Sequence, residues 1–368
     1  MMLTLRHLVL SAAVIMVLAG ASYARGAPAE NQVYISGIQV NPKRPSIVYA
    51  STLGPDSVLK STDAGKTWSV ADTGLTNPAS PTDSEDLRVD ALALDPRSPN
   101  VLYAGTGIGV LKTTDGARTW KLASNGIDFG RDGLAHRMYE GFIWGLAVDP
   151  VHTSRVYAAS FAGVWKTNNG GATWKRVLQD GVLSLGIDPR RPETVYASAG
   201  GGFQSKATRT TVYKTVDAGG SWRATGPSGL HDSYFGHPIA VAGQAPGTIY
   251  AGGSRGLFAS VSQGRTWKKV LPLRRANSGV NAIALDPSRA NLLYVGTSTE
   301  GVLKSVDGGQ TWSARRLKGR SISAMAIAHT RPQTIYAGAY WPKRPDGQTA
   351  GMFASRDGGA TWHRLSIS

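Results

Sequence analysis

An acidic residue recurs in this 368-residue chain within one octet, S/T-x-D-x-G-x-T-W, at Asp63, Asp115, Asp217, Asp307 and Asp357. Five aligned carboxylates could supply proton transfer or bind cations. Two further copies carry Asn169 and Ser262 at that place, and Ala117 replaces a glycine in the second copy. Asparagine and serine still accept hydrogen bonds from turn amides but cannot do a carboxylate's acid–base work. A residue repeated once per unit and replaced in single copies is a turn device, so these seven positions are read as structural.

Chemistry must then come from the segments between the octets. Leu122 to Phe142 holds Arg131, Asp132, His136, Arg137, Tyr139 and Glu140, with Trp144 just beyond. That mixture suits a sugar or a peptide end. Asp132 and Glu140 would form an acid/base pair only at a carboxyl separation of about 5 to 9.5 Å. Val70 to Arg88 adds Asp83, Glu85 and Asp86. Ala224 to Pro238 holds His231, Asp232, Tyr234 and His237, which lack a third ligand at metal-binding spacing. Gly338 to Gly351 sets Tyr340 and Trp341 beside Lys343 and Arg344, and Trp with Arg is a common interface pairing. Phosphate loops, His-Glu-x-x-His pairs and Ser-centred nucleophile elbows are missing from the sequence, so neither cofactor nor metal is expected.

The chain has no cysteine, which excludes disulfides, thiolate metal sites and a cysteine nucleophile. Arg6, the apolar run Leu8 to Leu18 and the small residues up to Ala24 read as a signal peptide over residues 1–24. A short linker, 25–32, follows. This predicts a periplasmic or secreted bacterial protein with no membrane segment after cleavage.

Charge divides unevenly. Residues 25–184 carry 16 basic and 15 acidic side chains, whereas 185–368 carry 23 and 9. Arg265, Lys268, Lys269, Arg274, Arg275, Arg315, Arg316, Lys318 and Arg320 form the dense part. A one-sided positive field attracts anions. For an exported protein that implies an acidic protein surface or an anionic glycan rather than nucleic acid, with the chain itself a monomer.

The elements that position these residues repeat with the octet, whose tryptophans fall 45 to 54 residues apart. Each unit begins with an apolar run and a turn, as in Ala91 to Leu94 before Asp95-Pro96. Such runs predict a strand buried on both faces near an axis. A Val/Ile/Leu-Tyr-Ala/Val strand follows, from Val48-Tyr49-Ala50 to Ile335-Tyr336-Ala337. The octet makes a hairpin between third and fourth strands, its tryptophan burying against a neighbour. Seven units predict an all-β chain: one seven-bladed propeller of four-stranded antiparallel blades over 33–368. Each unit is complete in sequence order, so the first and last blades are expected to meet through side chains.

The octet, with Asp-Pro and Val-Tyr-Ala upstream, resembles the Asp-box or bacterial neuraminidase (BNR) repeat across essentially residues 33–368. It looks like the branch that holds sortilin-type propellers, xyloglucanases and photosystem II stability/assembly factors. In that branch the Asp-box hairpin lies away from the usual ligand face. The resemblance to sialidases implies an early Arg-Ile-Pro segment, which is absent; Lys43-Arg44-Pro45 sits in a turn. The resemblance to xyloglucanases implies two propellers with catalytic aspartates across the cleft between them, and one propeller is read here. The assembly factors imply a single exported ring with an arginine-rich surface. The expectation is therefore a non-enzymatic binding or assembly scaffold. It would engage an anionic partner through Trp341, Lys343, Arg344, Arg274, Arg275, Arg315, Arg316, Lys318 and Arg320. The alternative is a glycoside hydrolase or sialidase-like enzyme using Arg131, Asp132, His136, Arg137, Glu140 and Trp144 on the loop face.

Overall fold

The computed structural model describes residues 33–53, 57–76, 88–128, 142–199, 211–225, 238–254, 256–273, 278–313, 316–328, 333–340 and 350–367. The expected signal peptide and linker lie outside them. The first unit forms β1 (Ile35–Val40), β2 (Val48–Thr52), β3 (Val58–Ser61) and β4 (Ser69–Val70), hydrogen-bonded in that order as an antiparallel meander. Six units repeat this sheet. In the sixth, three described strands are joined by the bridge Val302↔Arg316, residues 314 and 315 lying outside the description. The first strand of every blade packs against the first strands of its two neighbours, closing a seven-membered ring about an axis. Among the described residues there is no helix, and none long and apolar enough to cross a membrane.

Burial corrects one expectation. The first strand is buried at every residue in Ala91–Leu94, as expected, but around the ring it is the second strand that is buried so: Val48–Thr52, Leu102–Thr106 and Val156–Ser160 are buried throughout. The inner strand Gly145–Val148 is only half-buried throughout, because one face looks into the axial channel. The second strand is packed between adjoining blades, and its tyrosines, from Tyr49 to Tyr336, are at most 2% exposed.

These tyrosines reach from blade to blade. Tyr157, Tyr250 and Tyr294 donate to the carbonyls of Ala218, Gly308 and Gly358, at 3.0, 3.2 and 2.9 Å. Each acceptor directly follows the Asp-box aspartate of the next blade. That residue has positive φ in all seven boxes, even as Ala64 (60°), Ala218 (55°) or Gln263 (58°). The left-handed turn aims its carbonyl backwards at the preceding blade. Lys60, Lys112 and Lys304 donate to the equivalent carbonyls of Gly116, Gly170 and Gly358 at 2.7–2.8 Å, each ammonium lying over its own blade's tyrosine ring.

The aspartate holds the turn in shape. Asp63 accepts from the amides of Lys66 and Thr67 at 2.9 Å and from the Thr67 hydroxyl at 2.6 Å. Ser61 donates to it and accepts from the amide of Gly65. Asn169 and Ser262 keep the bond from the threonine amide, which explains why a carboxylate is dispensable in single copies. These bonds, chiefly from the threonine, hold the Asp63 carboxyl well below its usual range and that of Asp307 at about 2.

Among the described residues no strand crosses the seam: the first sheet uses 35–70 and the last 321–364. Ser323 donates to the carbonyl of Ile35 at 2.6 Å, and Tyr336 and Arg356 both donate to that of Ala64, at 3.2 and 3.0 Å.

Tyr336→Phe should therefore cost about 1 kcal/mol in urea unfolding. Adding Arg356→Met should cost more again, since the Ala64 carbonyl loses both side-chain donors. Equal stability of the double variant and wild type would contradict side-chain closure. The box carboxylates stabilise the fold above the unfolded-state pKa near 3.9, and that stability is lost as pH falls through the depressed folded values. The gap in melting temperature between wild type and Asp307→Ala should narrow below about pH 4 and close near pH 2.

Candidate active site at the axial mouth

The Asp-boxes and the turns between first and second strands share one face of the ring. Loops joining the second to the third strand, and each blade to the next, share the other. On this loop face the inner strands begin, and their first turns of chain form the mouth of the axial channel.

The seven inner strands can be placed in register by one backbone bond, from Asn41, Asp95, Asp149, Asp188, Ala242, Asp286 and Ala328 to the residue six further on. Five residues before these donors stand Ser36, Asp90, Trp144, Leu183, His237, Asn281 and Ser323; His237 lies outside the described residues. At Ser36, Leu183, Asn281 and Ser323 the ladder register shifts by one residue. Such a bulge turns a side chain out of the strand's alternation. Three of these side chains tie the mouth together. Ser36 donates to Val89 O at 2.5 Å, Asn281 to Ile322 O at 3.2 Å and Ser323 to Ile35 O at 2.6 Å, each on the following blade.

Asp90 and Trp144 depart from this pattern. An ionised carboxylate cannot donate. Asp90 instead accepts from Arg88 Nε at 3.2 Å, its side chain 5% exposed and that of Arg88 18%. The guanidinium lies over Phe142, 4.3 Å from the ring centre, and reaches Trp144 at 5.5 Å. Trp144 in turn meets Phe142 at 5.6 Å and, edge-on, Phe161 at 5.7 Å. Burial pushes the Asp90 carboxyl up to about 6 against the opposing pull of Arg88. Across the seam Tyr34 packs on Tyr340 at 5.1 Å. Its phenol is pushed up by burial, by Tyr340 and by the Asp90 charge. The mouth over blades 7, 1, 2 and 3 thus combines a buried carboxyl, paired with Arg88, with five aromatic rings. A second loop-face carboxylate, Asp180, is engaged by the Tyr213 hydroxyl, whose pKa burial and this bond raise to about 12.

Few of the sequence-predicted residues are brought to this place. Trp144 is. Arg131, Asp132, His136, Arg137 and Glu140 lie outside the described residues, as do Trp341, Lys343, Arg344, Arg274, Arg275 and Arg315. Arg316 and Lys318 are exposed. Arg316 borders a hollow of ≈ 180 Å³ between blades 6 and 7, lined also by Tyr294, Lys304 and Gly358. That is smaller than the roughly 300 Å³ at which ligand pockets begin. Arg320 covers the Phe353 ring at 4.5 Å. No group of acids and histidines among the described residues could hold a metal. Asp90, Arg88, Phe142, Phe161 and Tyr34 were missed because Asp90 reads as the polar start of an apolar strand. Aligning the units on their turn donors would have shown the one acid at that level.

No protein-family model matches the chain. A xyloglucanase of Hypocrea jecorina is 25% identical over 85% of this chain and 41% of its own length. One of a Paenibacillus species is 24% identical over 76% and 31%. The chain thus spans less than half the length of these relatives. Among solved structures, a GH74 enzyme of Niastella koreensis superposes with a TM-score of 0.66 at 22% identity, covering 90% of this chain and 54% of that one. YCF48 bound to a D1 peptide gives 0.58 at 13%, covering 83% and 90%. The fold is that of a seven-bladed propeller like those of both groups. The expectation of a non-enzymatic scaffold is corrected by the sequence relatives: those aligned over most of the chain are named xyloglucanases.

The Asp90 carboxyl should titrate near pH 6, read as the carboxylate infrared band lost in Asp90→Asn. Arg88→Gln removes the charge that opposes burial and should move it higher. Because the folded value is raised, wild type should lose stability relative to Asp90→Asn as pH rises from about 4 through 6.

Proposed function

We propose that the chain is an exported glycoside hydrolase acting on a neutral polysaccharide of the xyloglucan type, with its reacting centre at the axial mouth. Asp90 is the observation that carries this reading. A carboxyl lifted toward neutrality by burial holds its proton in mildly acid solution and can give it to a glycosidic oxygen. Arg88 keeps it in place. The xyloglucanase relatives supply the substrate class. Export rests on the character of residues 1–24.

Glycoside hydrolysis needs a second carboxylate to activate water or to attack the sugar. Two stretches of sequence that adjoin mouth residues carry candidates. Asp83, Glu85 and Asp86 precede Arg88, and Asp132 and Glu140 precede Phe142. We assign the second role to one of these five.

The purified chain should release reducing ends from xyloglucan. Its kcat should decline as pH rises through about 6, where Asp90 loses its proton. Asp90→Asn should lower kcat about 100-fold or more. Failure to release sugar ends from any neutral glycan would remove the hydrolase reading.

A further inference from the structure

We infer that Phe142, Trp144 and Phe161, with Arg88 and Asp90, form a binding site for a single neutral pyranose unit. The proposal rests on the glycan reading for its ligand class and on the following geometry for its place.

The sevenfold repeat provides internal comparisons. At the level of Asp90 and Trp144, three other blades spend the side chain on a bond to the next blade's carbonyl. Blades 2 and 3 give up that bond. They place there a carboxylate and an indole that face each other across one guanidinium. Blade-to-blade packing does not require a carboxylate or an indole here, since those three blades keep the bond and blade 4 has Leu183 in its place.

The rings are also unlike the packing aromatics of this fold. Second-strand tyrosines are at most 2% exposed, whereas Phe142, Trp144 and Phe161 all stay half-buried. They come from two segments, the entry to blade 3 and the turn after its second strand. Gly107 makes room for one of them: a Cβ there would come within 2.9 Å of the Phe142 ring. A side chain at that point would push the ring out of the wall.

A pyranose has faces of C–H groups and a rim of hydroxyls. An aromatic wall takes the face, and amphipathic contact of this kind needs no charge on the ligand. A guanidinium and a carboxylate side by side offer fixed donors and acceptors to neighbouring hydroxyls. Arg88, stacked on Phe142, presents its edge beside Asp90. This part of the ring belongs to the half of the chain with nearly balanced charge, so the site selects a neutral sugar and not an anion.

The test measures binding of xyloglucan to the full chain at low and high salt, with polygalacturonate as the anionic comparison. Trp144→Ala and Phe161→Ala should each weaken xyloglucan binding about tenfold, with Trp144→Phe restoring part of it. Arg316→Gln with Lys318→Gln should bind as wild type, and wild-type affinity should not change with salt. Melting curves identify any variant that fails to fold, and Trp144→Phe then carries the comparison. Wild-type affinity in both alanine variants, or binding confined to polygalacturonate at low salt, overturns the site. Binding lost with the rings in a protein that releases no sugar ends upholds the site while the hydrolase reading fails. Hydrolysis with unchanged KM in both alanine variants does the reverse.

Discussion

The ring depends on one hydrogen bond that recurs at five blade junctions, from a buried second-strand tyrosine to the carbonyl that follows the next blade's Asp-box aspartate. That carbonyl points backwards only because its residue is left-handed. The left-handed turn persists because a serine or threonine and an aspartate saturate the amides beneath it. An alanine tolerates this conformation at a cost of about 1–2 kcal/mol, which a surface turn without the bond would have little reason to bear. The octet is therefore as much an inter-blade contact as a hairpin. Its tryptophan completes the joint from the other side, as Trp120 and Trp174 donate to the carbonyls of Ala71 and Ala123 on the preceding blade.

With blade contacts fixed on one face, the other face is free to vary. The inner strands show how far. Four of them keep a bulge at this level and three keep a bond to the next blade, whereas Asp90 and Trp144 bring a carboxylate and an indole to the same level in adjacent blades. Burying a carboxylate is costly even with one cationic partner, and the raised pKa of Asp90 records that cost. Buried, charge-paired groups with a shifted pKa are frequent at sites that bind ligands or transfer protons. Equivalent positions around the same ring show that the fold does not impose the feature.

The sequence made the architecture legible because its signals are local. Each octet states a hairpin, each Val-Tyr-Ala a strand, and their order states the meander. Which strand is most buried was not legible: apolar residues fill both the first and the second, and only ring closure turns one face of the first toward the channel. The partner of Tyr157 lies 61 residues away at Ala218, a distance no local pattern reports. Trp144 was visible as an aromatic residue beside a long loop. Its companions were not, because Arg88 and Phe142 belong to different units and meet only when the blades stand side by side.

Charge settles the weight given to the two faces of the functional argument. The excess of basic residues in the second half suggested an anionic partner. Several outer-strand and loop cations have another task within the fold. Lys269 lies over Phe258 at 5.1 Å and Arg320 over Phe353 at 4.5 Å. Arg176 does the same for Trp165 in the balanced half of the chain, at 5.5 Å. These cations cover third-strand rings that would otherwise face water at the rim, a contact worth about 0.5–1 kcal/mol at exposed sites. Arg176 and Lys269, which stand on outer strands, also keep those edges from pairing with other chains. Basicity at the rim thus follows from how the blades end. Among the described residues the mouth sets Asp90 against Arg88, and beside that pair it offers a ligand aromatic surface and directed hydrogen bonding. A neutral glycan matches that chemistry, and a polyanion does not.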